Sequence, residues 1–272
     1  MIPATFDYVR AESVDHALAL LGEHGDEAKL LAGGHSLLPM MKLRLAVPSV
    51  LVDVGRLDDL SYIRHEGDVV RIGALTCHHD LETSDVLAAQ CPLVAGVAAV
   101  VGDPQVRHRG TLGGTLAHAD PASDLPAAVL ALGGTLVARG PSGERRIPAA
   151  DFFSGYFESA LAPDEMLVEV ELPATPGARW NYQKFNRRAQ DWAIVGAVAV
   201  QNGHTGVALV NMGSTPLRAT AVESALASGA SHAEAAAVAD EGADPVDDLN
   251  ADVAYRRHLA RVLTRRALDA LT

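Results

Sequence analysis

The chain has 272 residues, 49% apolar and 21% charged, the mix of a globular protein long enough for one large core or two smaller ones. Its net charge of −12 argues against nucleic acid or an anionic membrane as the main partner; any anionic ligand must be held by local backbone dipoles against the global field. Two cysteines, Cys77 and Cys91, exclude a disulfide framework and an iron–sulfur cluster held by this chain alone, and aromatics at 4% leave the core to Ala, Val and Leu.

Ser13 is placed to cap a helix running to about His24, because Val14, Ala17, Leu18 and Leu21 fall on one face. A short apolar strand at 28–32 ends in Gly33-Gly34, followed by a helix carrying Leu37, Leu38, Met40 and Met41 and a strand at 50–54. This is an α/β opening. Residues 58–73 read as a hairpin turning near Glu66-Gly67-Asp68. The stretch 85–101 has helical periodicity, and a glycine-rich connection at 110–114 leads to a further helix at 125–132. Strands resume at 135–139 and 166–172, and Pro173, Pro176 and Gly177 mark a boundary. Beyond it, 182–185, 193–200 and 207–211 read as an antiparallel sheet, with helices around 219–228, 231–239 and 252–271. The acidic piece 230–252 is expected to face solvent. No apolar run approaches the ~20 residues that span a bilayer. The start, Met1-Ile2-Pro3-Ala4, lacks the basic-then-apolar pattern of a secretion signal, so the expected location is cytoplasmic.

Two glycine motifs carry the chemistry. In Leu30-Leu31-Ala32-Gly33-Gly34-His35-Ser36-Leu37, paired glycines after a buried strand permit a tight turn and close approach of backbone N–H groups to a pyrophosphate. In Thr111-Leu112-Gly113-Gly114-Thr115, the pair is flanked by hydroxyl residues able to donate to phosphate oxygens. Neither is a G-x-G-x-x-G fingerprint or a Walker lysine loop, so Rossmann and P-loop readings fail. Two such turns suit a diphosphate clamped from both sides.

These motifs belong to a longer pattern. A-G-G-H-S-L-L-P at 32–39, I-G-A-L-T at 72–76 and T-L-G-G-T-L-A-H-A-D-P-A-S-D-L-P at 111–126 closely resemble the medium, FAD-binding subunits of molybdenum hydroxylases. The similarity continues through K-F-N-R-R-A-Q-D-W-A at 184–193, G-S-T-P-L-R at 213–218 and Y-R-R-H-L-A-R-V-L at 255–263, so it spans essentially the whole chain. The resemblance points to the carbon monoxide dehydrogenase-like branch.

The resemblance implies an α+β fold: a PCMH-type two-part FAD domain at 1–175 (parts of about 1–56 and 57–175), then a C-terminal domain at 176–272 with a three-stranded antiparallel sheet and helices. It implies one non-covalent FAD whose pyrophosphate lies between residues 32–36 and 111–115, with Leu30, Leu31, Leu37 and Val101 also in the cofactor site. Asp124 matches an acidic position that hydrogen-bonds the adenosine half or the neighbouring loop, while Leu167 and Lys184 lie in segments that approach the flavin ring. Molybdopterin would sit on a large partner subunit and iron–sulfur clusters on a small one, in a dimer of heterotrimers. Electrons would leave through this chain to a quinone, NAD or oxygen. The protein then positions and tunes a ring, and no catalytic acid or base is named.

Other residues have plainer readings. His35 occupies a position where flavoproteins of the wider superfamily attach FAD covalently; in the resembled subunits that position varies, and non-covalent binding is expected. His78, His79 and His118 lack the neighbours of a known metal site and read as satisfied loop or surface histidines, and Cys77 as packing. Trp192 reads first as core and second as a wall near the flavin. Arg256, Arg257, Arg261, Arg265 and Arg266 read as a solvated or subunit-facing surface opposite Tyr255, Leu259, Val262 and Leu263. The rival readings are a stand-alone flavin oxidase or dehydrogenase and a scaffold that has lost its cofactor.

Overall fold

The computed structural model describes residues 2–272. The chain opens with β1 (Asp7–Arg10), α1 (Val14–His24), β2 (Ala28–Leu31), α2 (Leu37–Lys42) and β3 (Val50–Asp53). Its three strands are parallel, in the order β1-β3-β2. Ser13 Oγ accepts from His16 N–H to start α1, which buries Val14, Ala17, Leu18 and Leu21 in the core above the sheet. The turn after β2 therefore opens at the carboxyl edge of a parallel sheet, the edge where such sheets bind ligands.

The next stretch runs β4 (Ile63–Glu66), β5 (Val69–Gly73), α3 (His78–Glu82), α4 (Asp85–Gln90), α5 (Pro92–Ala98), α6 (Pro104–Arg107), α7 (Leu112–His118) and α8 (Asp124–Ala131). It continues with β6 (Thr135–Gly140), β7 (Gly143–Pro148), α9 (Ala149–Phe152), β8 (Phe153–Gly155), β9 (Glu158–Ser159) and β10 (Met166–Pro173). Five strands form an antiparallel sheet, β4-β5-β10-β6-β7, and β8 pairs with β9 alone. The helix expected over 85–101 divides at Cys91-Pro92: Pro92 has no N–H to continue the first helix and instead starts the second. The expected connection at 110–114 is the start of α7, capped by Thr111. Strand β7 escaped the sequence reading because it is an edge strand on which only Ile147 is buried.

The last stretch is β11 (Arg179–Phe185), β12 (Val195–Asn202), β13 (His204–Val210), β14 (Leu217–Arg218), α10 (Thr220–Ala227), α11 (His232–Ala236) and α12 (Val253–Asp269). Three long antiparallel strands are joined at the edge by the two-residue β14. Strands β12 and β13 are apolar on both faces because helices cover both. Val198, Val200, Ala208 and Val210 join the core shared with α5 and α8, whereas Val195, Ala197, Ala199, Val207 and Leu209 join the core under α12. Each such fully buried Val or Leu contributes about 1.5–3 kcal/mol.

Helix α12 corrects the expected basic face. Arg256 is the largest fully buried side chain, donating to the Ile194 carbonyl and pairing with Asp248 at 2.6 Å, while Tyr255 is 43% exposed. Arg257 and Arg261 both reach Asp240, whose side chain is nearly buried. The acidic piece 230–252 is thus not simply solvent-facing: Ala235, Ala236, Ala239, Ala243 and Ala251 are core, and Asp240 and Asp248 anchor α12. Burial pushes the Asp248 carboxyl up, but the N–H groups of Asn250 and Ala251 and the Arg256 guanidinium outweigh it and hold the group below its usual range.

Asp248→Ala should destabilise the chain by about 1–3 kcal/mol in urea unfolding, below the ~3–5 of a fully buried pair because water reaches Asp248. A carboxyl depressed by folding stabilises above its unfolded value and ceases to as pH falls through the folded one, so variant and wild type should converge in acid.

Candidate functional site

A cavity of about 880 Å³ lies where the parallel sheet, the five-stranded sheet, α7 and the β11–β12 connection meet. It is lined by the turn after β2, the start of α7, the hairpin β8–β9 and the segment Gln190–Trp192. This is the upper part of the ~300–1,000 Å³ range of small-molecule sites.

The first glycine turn is shaped by backbone contact. A Cβ on Gly33 would stand 1.9 Å from the Arg109 carbonyl oxygen, so no side chain fits between this turn and the segment before α7. Gly34 has φ +80°, a left-handed conformation that costs glycine nothing. Among the described residues, the N–H groups of 33–37 find no acceptor within the chain, and Ser36 makes no side-chain cap. A row of unpaired donors on a cavity wall calls for an anion or water.

The second turn is built differently. Four of its five N–H groups are already committed: Leu112 donates to Thr76 O at 3.0 Å, Gly113 to Ala74 O at 2.8 Å, Gly114 to Thr111 Oγ1 at 3.1 Å and Thr115 to Thr111 O at 3.0 Å. Gly113 is required by packing, since a Cβ there would meet the Ala74 side chain at 2.6 Å. What this turn presents to the cavity is side-chain oxygen and close-packed backbone. The two glycine pairs that look alike in sequence are thus unlike in what they offer.

Most of the residues singled out from sequence converge here. Leu30, Leu31, Ala32, Gly33, Gly34, His35, Ser36 and Leu37 line one wall, and Thr111, Gly113, Gly114 and Thr115 another. Val101, Asp124, Leu167 and Lys184 close the remainder. Leu112 does not: its side chain is fully buried in the core beneath α7, turned there by the helical register that aims Thr111 and Thr115 at the cavity.

Asp124 and Lys184 form the polar floor. Lys184 Nζ lies 2.8 Å from Asp124 Oδ2 and 3.0 Å from Val100 O, with both ion-pair partners nearly buried, and the Tyr182 hydroxyl donates to Asp124 Oδ1. Burial pushes the Asp124 carboxyl above its ordinary value, against the pull of Lys184 and Tyr182. The acidic position thus binds Tyr182 and Lys184 of the β11 strand.

Several wall residues were missed or misread. His78 is 2% exposed, with Nε2 3.1 Å from Thr115 Oγ1, and is not a surface histidine. Burial pushes its imidazole down to about 4, so it is neutral at physiological pH. His118 also lines the cavity, against the Phe157 ring at the tip of β8–β9. Only the aromatic run Phe152–Phe157, in a chain poor in aromatics, could have flagged that hairpin. Trp192 is 57% exposed at the cavity rim, which removes its core reading.

A concave site with a row of backbone donors, hydroxyls and little positive charge has the make-up of a site for an anionic small molecule such as a nucleotide. The comparisons are specific. The family described as "FAD binding domain in molybdopterin dehydrogenase" matches residues 4–175, and "CO dehydrogenase flavoprotein C-terminal domain" matches 180–271. The chain is 43% identical over 281 residues to the carbon monoxide dehydrogenase medium chain of Hydrogenophaga pseudoflava, covering 99% of this chain and 98% of that one. It is 40% identical over 280 residues to the 6-hydroxypseudooxynicotine dehydrogenase complex subunit alpha of Paenarthrobacter nicotinovorans, covering 98% and 95%. Among solved structures, carbon monoxide dehydrogenase from Hydrogenophaga pseudoflava lacking the Mo-pyranopterin moiety superposes with a TM-score of 0.97 at 44% identity, covering 100% of this chain and 98% of that one. The chain belongs to the family of FAD-binding medium subunits of molybdenum hydroxylases, and is the flavin component of an oxidoreductase.

Lys184→Met strands the Asp124 carboxylate and should cost about 3–5 kcal/mol of stability, the range for breaking a buried pair. A carboxyl raised by folding binds its proton more tightly folded than unfolded, so its contribution weakens as pH rises from the unfolded value through the folded one. Without Lys184 to pull it down the carboxyl rises further, so ionising Asp124 costs the variant more than wild type, and the deficit read by urea unfolding should be larger at pH 8 than at pH 5.

Proposed function

We propose that this chain takes electrons from an iron–sulfur subunit through one non-covalently held FAD and passes them to an external acceptor, a quinone, NAD or oxygen. The observation that carries this is the run of unpaired N–H groups at 33–37 on the wall of an 880 Å³ cavity, in a chain of the flavin-subunit family. Those donors offset a pyrophosphate's charge where the net charge of −12 would oppose it. Thr111 and Thr115 face the same space from the second turn, Leu167 and Lys184 are the walls assigned to the flavin ring, and Val101 belongs to the same cofactor site. Trp192 stands at the rim as a ring contact rather than as core. In this reading residues 1–175 are the FAD-binding domain and 176–272 the C-terminal domain, cytoplasmic with the rest of the complex.

FAD supplies a group that accepts electrons singly and delivers them in pairs, so the chain's own residues need only bind, orient and shield it. Molybdopterin and iron–sulfur clusters reside on the partner subunits, and substrate oxidation occurs there. The relatives are named for carbon monoxide and for 6-hydroxypseudooxynicotine, so the substrate is set by the partner and not by this cavity. The stand-alone oxidase reading is not favoured, because relatives matched end to end are a medium chain and a complex subunit.

The purified complex should show flavin bands near ~370 and ~450 nm, with on the order of one FAD per chain released into the supernatant by acid precipitation. A colourless complex that also fails to take up added FAD would falsify the proposal; flavin remaining in the acid pellet would instead mark a covalent link at His35. Gly33→Ala forces backbone apart at Arg109 and should abolish flavin retention while the complex still assembles. Trp192→Ala should alter the flavin spectrum or potential, and an unchanged flavin would remove Trp192 as a ring contact.

A further inference from the structure

We infer that His78 is a positioning residue for the cofactor: its imidazole donates to Thr115 Oγ1 and thereby turns the Thr115 hydroxyl proton toward the cavity, as a donor to a phosphate oxygen of FAD. The inference rests on the proposed function, since it names a part of the same site that neither glycine motif contains.

The argument is one of hydrogen-bond bookkeeping. A neutral imidazole carries one N–H and one bare nitrogen. In His78 the Nδ1 atom is buried and has no partner, while Nε2 lies 3.1 Å from Thr115 Oγ1, and the Thr111 backbone carbonyl is a second acceptor facing the ring. A buried N–H without an acceptor costs about 1–3 kcal/mol, so the proton resides on Nε2, where it is satisfied. Nε2–H then donates to Thr115 Oγ1, and the hydroxyl proton cannot point back at the imidazole.

Nor does the helix absorb that proton. Threonine hydroxyls in helices commonly return their proton to the carbonyl four residues back. Here Thr111 O accepts from Thr115 N–H, and Thr115 Oγ1 makes no contact with it short enough to be a hydrogen bond. Thr115 lines the cavity, so the remaining direction is into it. Gly110 supports the arrangement: a Cβ there would stand 3.0 Å from His78 Cε1. Because the amides of residues 112–115 are committed, that turn meets an anion mainly with its hydroxyls, and Thr115 is the one whose proton the imidazole directs.

The test is a double-mutant cycle on FAD affinity, measured by titrating FAD into the deflavinated complex and following flavin fluorescence. His78→Leu and Thr115→Val should each weaken FAD by about tenfold, the low end for a hydrogen bond to a charged group, and the double variant should be no weaker than Thr115→Val alone. His78→Gln, whose amide N–H can replace the imidazole donor, should restore most of the affinity. Additive losses, or a His78→Leu complex that binds FAD like wild type, would overturn the inference, the first by showing a merely structural role. Should His78→Leu fail to assemble, the Gln variant in wild-type and Thr115→Val backgrounds decides, since a directed donor predicts near-native affinity only where Thr115 is present. A wild-type complex that takes up no FAD overturns the underlying reading as well, which separates the two failures.

Discussion

The Gly33 backbone lies so close to the Arg109 carbonyl that a single methyl group would not fit, and the cavity depends on that contact. It brings the carboxyl edge of the parallel sheet against the segment that leads into α7, two pieces of chain some 76 residues apart in sequence (109 − 33). Any side chain at 33 would wedge the two layers apart and carry the unpaired amides of 33–37 away from the hydroxyls of Thr111 and Thr115. The opposite end is held by a different force. There Lys184 and Tyr182 of β11 close on the Asp124 carboxyl at the start of α8, tying the four-stranded sheet to the cavity floor.

These two joints divide the electrostatic work. Lys29 and Lys184 are the lysines on the wall, no arginine is there among the described residues, and Lys184 is already paired. An anionic cofactor is therefore met by dipoles rather than by free cations: backbone N–H groups on one side and oriented hydroxyls on the other. Such donors are fixed by the fold and need no counter-charge to be buried when the ligand is absent. A neutral His78 fits the same scheme, because it shapes the site without adding charge to it.

Much of the architecture was readable from local pattern. The α1 cap at Ser13, the 66–68 turn and the apolar β12–β13 run are each set by neighbours a few residues away, through capping, turn chemistry and periodicity. The readings that needed correction share a cause. Arg256 is buried because Asp248 and the Ile194 carbonyl come from outside the helix, so the helix's own periodicity placed it on a basic face. His78 is buried because Gly110 and Thr115, distant in sequence, close against its ring, and Trp192 is exposed because the connection before β12 ends at a cavity rather than in a core.

By itself the sequence determined the family, the paired glycine turns and the absence of cluster ligands, because these depend on residue type and order alone. Only the tertiary structure decided what each glycine is for: Gly33 for contact with a distant backbone, Gly113 for packing on Ala74. It also decided which turn keeps its amides free, that Leu112 points into the core and that Asp124 binds Lys184 across 60 residues. A hydrogen-bond donor is free or spent according to what lies opposite it, and in these turns that partner comes from elsewhere in the fold.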